Sequence, residues 1–228
     1  MKKILLIFTL ISLFSFSEEI QRNFSIKNIR DIYSNGMVDI IITKGSNESL
    51  TITGKDSLLN DINIKTKGNY LDIDVPKKSY LNVNNKATIS IVVKDLDSFE
   101  FAGTGDIIIK DFKGINFNLI SSGLGNISFL NSNFDNLDIK ITGKGTVIAE
   151  GKVENLTATV DGLGTLNAFS LETKTADVKL NGLGSIEVNV LKKLTAKVNG
   201  VGKVRYLGNP TLEKTELNGL GQIKKQGE

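Results

Sequence analysis

The chain has 228 residues, with 22 Gly, 2 Pro and no Cys, His or Trp. A hydrophobic share of 40% beside 23% charged residues is too apolar for a disordered chain, and the length allows one large domain or two small ones. Without Cys and His the chain lacks disulfides, thiolate and Ser-His-Asp nucleophiles and most transition-metal ligand sets, so we predict a non-enzyme with no catalytic, cofactor-binding or metal-binding residues.

Residues 1–17 have the features of a secretory signal peptide. The basic pair Lys2-Lys3 precedes an apolar run from Ile4 to Phe16, which is shorter than the roughly 20 residues that span a bilayer. Ser15-Phe16-Ser17 before Glu18 fits the small-x-small cleavage pattern. We predict export to the periplasm, the cell surface or the medium, with a mature chain that has no transmembrane segment; a buried core segment is the alternative.

The charge of the mature chain is close to balanced. Removal of Lys2 and Lys3 lowers Lys plus Arg from 28 to 26 against 25 Asp plus Glu, which leaves a net charge of +1 (26 − 25). The cations alternate with acids along the chain, whereas nucleic-acid binding needs clustered Lys and Arg to displace counterions. No nucleic-acid partner is predicted.

Residues 18–98 are predicted to be rich in strands. Apolar and polar residues alternate with a period of two in segments such as Val38-Ile40-Ile42 and Ile89-Ile91-Val93, which indicates strands with one buried face. Lys67-Gly68-Asn69 lies between two such segments and predicts a hairpin turn.

Residues 99–228 contain seven Gly-x-Gly triplets. Their first glycines are 20, 20, 19, 20, 18 and 19 residues apart: Gly103, Gly123, Gly143, Gly162, Gly182, Gly200 and Gly219. A fixed period of this size is typical of a solenoid in which each repeat stacks on the next. Glycine suits such corners because it accepts positive φ and lets neighbouring coils approach without a Cβ.

Between the triplets the pattern is that of strands, and no helical period is present. An antiparallel meander fits the alternation, but repeats this regular stack best as coils of a parallel β-helix, and parallel crossovers are nearly always right-handed. We predict an all-β protein: a right-handed parallel β-helix of about seven coils of about 20 residues each. Residues 18–98 would form an N-terminal β cap that covers one end, continuous with the β-helix in a single domain.

The repeated pattern resembles a bacterial family, the autotransporter adhesin head GIN domain. The resemblance rests on Gly103-Thr104-Gly105-Asp106-Ile107, on Gly125-Asn126-Ile127, on the strand-rich segment before them and on the ending from Val204 to Pro210. It spans roughly residues 24–225 and implies a secreted or envelope β-helical protein without catalytic residues. The middle residue of the triplet, usually small and polar in that family, is here mostly apolar.

These apolar middle residues are the candidate partner-contact residues, and five of them form the stripe: Leu124, Leu163, Leu183, Val201 and Leu220. If the strand alternation continues through the corner, they point outward and form an apolar stripe of the kind that marks interfaces. If the glycine dihedrals rotate the corner, they are tucked inside.

Candidate catalytic carboxylates do not cluster in the sequence. Acids such as Asp106, Asp135 and Asp177 are scattered over corners and strands, as solvated turn residues are. We therefore predict an exported, non-enzymatic binding or adhesin-like protein whose partner is a surface glycan, another protein or a second copy. A polysaccharide-active β-helix enzyme and a structural envelope protein without a defined ligand are the alternatives.

Overall fold

Strands with alternating buried and exposed residues make up most of the chain. The computed structural model describes residues 19–76 and 86–227, and the predicted signal peptide in residues 1–17 lies outside the described residues. The strands are β1 Glu19–Phe24, β2 Asp31–Lys44, β3 Ser49–Lys55, β4 Asn63–Lys67, β5 Tyr70–Asp74, β6 Ala87–Val93, β7 Ser98–Thr104, β8 Asp106–Lys110, β9 Lys113–Ser121, β10 Asn126–Ile141, β11 Thr146–Gly162, β12 Thr165–Gly182, β13 Ser185–Gly200, β14 Lys203–Leu207, β15 Thr211–Gly219 and β16 Gln222–Lys225. A short helix, α1 (Asp56–Leu59), lies between β3 and β4.

From β7 onward the strands stack in parallel, one coil on the next. β11 pairs with β12 from Thr146 opposite Thr165 to Gly162 opposite Gly182, and β10 with β11 and β12 with β13 continue the pattern. Because these register offsets match the spacing of the triplets, each coil lies over its neighbour. The parallel β-solenoid predicted from the repeat is confirmed.

The stacked strands describe about 6 turns instead of the seven that were predicted. The reason lies in the counting, since seven corners, one per triplet, delimit six complete turns between the first and the last. The right-handed sense of the coil stays a prediction from the crossover rule.

β2 forms a further layer of the stack, which the Gly-x-Gly triplets do not predict. It pairs in parallel with β7, where Asp31 lies opposite Ser98, and with β8, where Ile40 lies opposite Ile107. Gly36 lies opposite Gly103 and takes the place of a corner glycine. The segment Asn35-Gly36-Met37 contains one glycine instead of two, so the triplet pattern does not extend to it.

The remaining N-terminal elements lie beyond the β2 layer. β6 pairs in parallel with the second half of β2, and β3 and β1 follow as antiparallel strands. β4 and β5 form the antiparallel hairpin predicted at Lys67-Gly68-Asn69, and β5 pairs with the first half of β2. Helix α1 buries Leu58 and Leu59 against this end, so the apolar core does not reach solvent there.

The core consists of columns of inward side chains, one from each coil. The buried residues form one continuous cluster from Ile26 to Val204. Phe117 stacks on Phe129 at 4.7 Å between ring centroids and lies 5.2 Å from Phe134, so three aromatic rings pack together in the core. One such column runs through Ile40, Ile107, Ile127, Val147, Leu166, Ile186 and Val204.

The corner glycines are required by the approach of neighbouring coils. A Cβ on Gly123 would lie 1.9 Å from the carbonyl oxygen of Gly103, far inside any van der Waals contact. Gly182 adopts φ +139°, which side chains with a Cβ rarely adopt. Both reasons for glycine that the sequence suggested are therefore present.

Within residues 19–76 and 86–227, no helix is long and apolar enough to cross a membrane.

Candidate functional site

The middle residues of the triplets form an exposed apolar edge on the solenoid. Leu163, Leu183, Val201 and Leu220 occupy equivalent corners of successive coils, and Lys144 separates them from Leu124. Leu183 is 62% exposed and Leu220 is 84% exposed, while Leu124, Leu163 and Val201 are exposed as well. With neighbouring layers about 4.8 Å apart, the four consecutive side chains form an apolar stripe roughly 14 Å long.

The backbone explains why these side chains point outward. The N–H of Leu183 donates to the carbonyl of Gly162 at 2.9 Å, and the N–H of Val201 donates to the carbonyl of Gly182 at 3.0 Å. The corner thus keeps the coil-to-coil hydrogen bonding of a strand, so the side chain between the two glycines faces solvent. Of the two orientations that the sequence left open, the structure has the outward one. The role of this apolar edge in partner contact stays a prediction.

A ladder of asparagines runs beside the apolar edge. The side-chain amide of Asn181 donates to Asp161 at 2.7 Å, that of Asn199 donates to Asn181 at 2.6 Å, and that of Asn218 donates to Asn199 at 2.8 Å. These residues directly precede the triplets, and Asn and Asp side chains at such places support turns by bonding nearby backbone. Their mutual hydrogen bonds tie successive corners together.

A polar groove with a volume of about 890 Å³ lies at another corner of the solenoid. Its floor is a second asparagine ladder, in which the amide of Asn136 donates to Asn116 at 2.8 Å and that of Asn155 donates to Asn136 at 2.9 Å. Asp138 and the exposed Ile115 also line the groove. None of the sequence motifs above indicated this site, although asparagines 20 and 19 residues apart carried a signal for it.

The ladder leaves hydrogen-bonding capacity for a ligand. A side-chain amide has two N–H donors and an oxygen with two lone pairs. Within the ladder, Asn136 uses one donor toward Asn116 and one lone pair toward Asn155. Each coil therefore offers a further donor and acceptor at the same height, repeated about every 4.8 Å along the groove.

Charged side chains form one wall of the groove. The guanidinium of Arg30 donates to Asp97 through Nη2 at 2.7 Å, and this pairing with Asp97 raises the pKa of Arg30. Next to it, the hydrogen bond from Lys44 lowers the pKa of Asp95. The raised pKa of Arg30 and the lowered pKa of Asp95 keep these two groups ionised at neutral pH, so the wall carries charges of both signs.

Two tyrosines lie on the sheet that continues from the groove. Tyr70 lies opposite Asp31, Asp31 opposite Ser98, and Ser98 opposite Asn118, which lines the groove. Three strand spacings therefore separate Tyr70 from the groove, about 14 Å. Tyr33 lies on the same face, and burial raises the pKa of both phenols, so they remain neutral.

The acids noted in the sequence are not gathered into one centre. Asp106 accepts a hydrogen bond from the Asn126 amide at 3.0 Å on a different face from the groove. Asp135 lines a separate depression with Lys152 and Glu172. In the described part of the chain, no group of three or more Asp or Glu side chains is close enough to hold a metal ion.

The repeat, its corners and the N-terminal strands match a known family. The family model described as "Putative auto-transporter adhesin, head GIN domain" matches residues 29–210. The chain belongs to the head GIN domain family. The resemblance noted in the sequence is confirmed, and none of the curated proteins that were searched matches the chain.

Solved structures with the same fold are described as adhesins and, in one case, as a lipid-binding protein. A putative adhesin from Bacteroides fragilis is 27% identical with a TM-score of 0.87, and the match covers 91% of this head GIN domain chain and 97% of that one. A putative lipid binding protein from Parabacteroides distasonis is 22% identical with a TM-score of 0.70, covering 92% and 97%. A putative adhesin from the same species is 19% identical with a TM-score of 0.70, covering 92% and 98%. The last two likenesses concern the fold alone.

Proposed function

We propose that this head GIN domain protein is an exported, non-enzymatic, adhesin-like protein of the bacterial envelope that binds a surface glycan in the polar groove. The observation that carries the proposal is the groove itself, with its asparagine ladder, Asp138 and the charged wall. Its volume of about 890 Å³ falls in the range of ligand sites. The family description as an adhesin agrees with a role in binding.

The chemistry of the groove suits a sugar chain. Sugar hydroxyls both donate and accept hydrogen bonds, as do the amides of Asn116, Asn136 and Asn155. Sugars also have apolar C–H faces, which pack on Ile115 in the groove and, where the chain of sugars extends onto the adjoining sheet, on the rings of Tyr33 and Tyr70. A repeat of donors and acceptors along the groove fits a chain of sugar units better than it fits a single small molecule.

Glycan-array binding tests this function, with the protein purified in the form that the cell yields after any processing. We expect binding to a subset of polar glycans and about a tenfold loss of affinity for Asn136→Ala, because two or more hydrogen bonds to the ligand would be lost. Asn199→Ala is the matched control, since Asn199 bridges Asn181 and Asn218 as Asn136 bridges Asn116 and Asn155, but outside the groove. Equal affinities for the two variants, or no binding to any glycan, would contradict the proposal.

Two further measurements check the remaining parts of this function. N-terminal sequencing of the protein delivered by the cell should find a start near Glu18, because the apolar segment in residues 1–17 would have been cleaved. A bound glycan should be recovered with its length unchanged after incubation. An intact N-terminus in the delivered protein would contradict export, and shorter glycan products would contradict the non-enzymatic role.

The apolar edge is proposed as a second contact surface for a partner. Its exposed apolar side chains follow one another over four coils, and contiguous exposed apolar surface is typical of interfaces. Leu163→Ser together with Leu183→Ser should weaken adhesion to a glycan-bearing surface without changing the affinity for the free glycan. If adhesion is unchanged, the edge has no part in partner contact.

A further inference from the structure

Among the described residues, the last coil leaves core columns of the solenoid exposed at its C-terminal end. β15 pairs with β13 and β16 pairs with β14, and these are the final layers of the stack. Leu212 and Leu217 lie opposite the buried Leu194 and Val198 and so continue two core columns, yet they are 45% and 50% exposed. Ile223 continues a third column over Val204 and is only partly buried.

The backbone of this layer is open as well. In the described residues, β15 pairs through the edge that faces β13, and its other edge has no strand beside it. A row of N–H and C=O groups along an edge strand is a template for pairing with another strand. An occupant of this end must therefore cover apolar columns and extend a sheet.

We propose that a second copy of this chain covers the end, so that two solenoids join tail to tail about a two-fold axis through Thr215 of β15. Two copies of β15 then pair antiparallel and complete each other's backbone hydrogen bonding. Leu217 of one copy lies opposite Glu213 of the other, next to Leu212, and the register shift at Glu213 lets the exposed Leu212 and Leu217 of the two copies come into contact. A two-fold interface requires a self-complementary surface, and this strand provides one.

The charges on β15 fit that pairing. With Thr215 opposite its own copy, Lys214 of each chain lies opposite Glu216 of the other. Both side chains are on the outer face of the sheet, since Lys214 lies beside Thr195 and Glu216 beside Lys197. Two opposite-charge pairs thus flank the axis, and shifting the axis by one residue to Glu216 would instead place two carboxylates face to face.

Polar residues surround the apolar columns at this end. Lys225 occupies the core position over Tyr206 and bonds through Nζ to Asn209, and Lys193 pairs with Glu213 at 2.7 Å. An apolar centre with a polar rim is the usual anatomy of a protein–protein interface. This inference does not depend on the glycan groove, which lies at another part of the surface.

Sedimentation of the full chain, purified as the cell processes it, tests the proposal. We expect a concentration-dependent change from monomer to dimer. Lys214→Glu and Glu216→Lys, each alone, should raise the dimer dissociation constant at least about tenfold, because like charges then face each other. An equimolar mixture of the two variants should dimerise again to within about threefold of the original chain, because the mixed pair restores both opposite charges.

A second pair of variants separates the end from the apolar edge. Leu217→Glu places a charge in the proposed interface and should abolish the dimer, whereas Leu183→Glu on the apolar edge should leave it unchanged. Circular dichroism of each variant confirms that the strands are retained. A chain that stays monomeric at all concentrations, or a dimer that Leu217→Glu leaves intact, or a mixture that fails to restore dimerisation, would overturn the proposal.

Discussion

The two ends of the solenoid differ in how the core columns stop. At the N-terminal end, α1 and strands β1, β3 and β6 cover the β2 layer, and Leu59 is only 3% exposed. Arg22 on β1 holds α1 in place by hydrogen bonds of 2.6 Å to Asp56 and to Asn60. At the C-terminal end the columns stop in solvent, and Leu217 is 50% exposed.

This difference shows how a repeat protein distributes its stability. Each coil of a solenoid is stabilised by its neighbours, so a coil between two others is held from both sides and a terminal coil from one side. At the N-terminal end, the outermost layer receives its second supporting neighbour from elements that do not follow the triplet period. In the described residues, the C-terminal end keeps the period to its last strands, β15 and β16, and leaves Leu212 and Leu217 exposed.

The largest loss in the free energy of unfolding is expected for substitution of a corner glycine that has a coil on each side. The Cβ in Gly123→Ala would lie 1.9 Å from the Gly103 oxygen, and Gly123 cannot move away because Gly143 lies on its other side. We expect a loss of about 3 kcal/mol or more in the free energy of unfolding. Gly221→Ala in the last coil should cost clearly less, because that coil can shift outward. Urea denaturation measures both, and equal losses would contradict the comparison.

The next largest change in the free energy of unfolding is expected when a leucine at either end of the solenoid is truncated to alanine. Leu59→Ala removes a side chain from the covered end and should lower the unfolding free energy by about 3 kcal/mol through lost burial and a residual cavity. Leu217→Ala should cost less than about 1 kcal/mol in the monomer, because half of this side chain is already in water. Thermal or urea unfolding at a concentration that keeps the chain monomeric distinguishes the two. A cost for Leu217→Ala as large as that for Leu59→Ala would mean that the C-terminal end is covered.

Replacement of a buried serine should stabilise the middle of the solenoid. Ser121 is fully buried beside Phe101 in a core column, and its Oγ has no hydrogen-bond partner among the described residues. Ser121→Ala removes a desolvated hydroxyl and should raise the unfolding free energy by about 1 kcal/mol. Thr215→Ala in the exposed last coil is the control, for which we expect almost no change. If Ser121→Ala lowers the stability, the hydroxyl has a partner in solution.

The smallest contribution to stability is expected from the Glu216 carboxylate in the last coil, and it depends on pH. Hydrogen bonds from Lys197 and Lys214 lower the pKa of Glu216 to about 2. Because the folded pKa is below the unfolded value, this contribution to stability is present above about pH 4.5 and is lost as the pH falls toward 2. A carboxyl NMR titration of the monomer should give a midpoint near 2, and Lys197→Met should raise it. A midpoint near 4.5 in the unchanged chain would show that these lysines do not hold Glu216 in solution.

The architecture was predictable because one physical constraint recurs in every coil. At each corner the neighbouring backbones are too close to admit a Cβ, so glycine is required there. The triplets at intervals of 18 to 20 residues therefore predict the solenoid directly. The β2 layer was not predictable from the triplets, since its corner at Gly36 meets the constraint with a single glycine and lies 67 residues before Gly103 (103 − 36).

The candidate site was less predictable than the fold. The apolar edge could be named residue by residue, but its orientation depended on corner dihedrals that the sequence does not specify. The polar groove combines Arg30 and Asp97 with Asn116 and Asn136, which come together only after the chain returns from the N-terminal elements. The open end was hidden for a similar reason, because Leu212 and Leu217 have the same alternating pattern as the buried leucines of earlier coils.

Hydrogen exchange, resolved coil by coil and measured on the full chain at two concentrations, tests the contrast between the ends most directly. In the monomer, amides of β15 should exchange much faster than those of β11 and β12, while the β2 layer remains protected. At a concentration that favours the dimer, exchange in β15 should slow at least about tenfold and the other coils should not change. Protection of β15 equal to that of β11 at low concentration, or rapid exchange of β15 at both concentrations, would contradict an open end that a second copy covers.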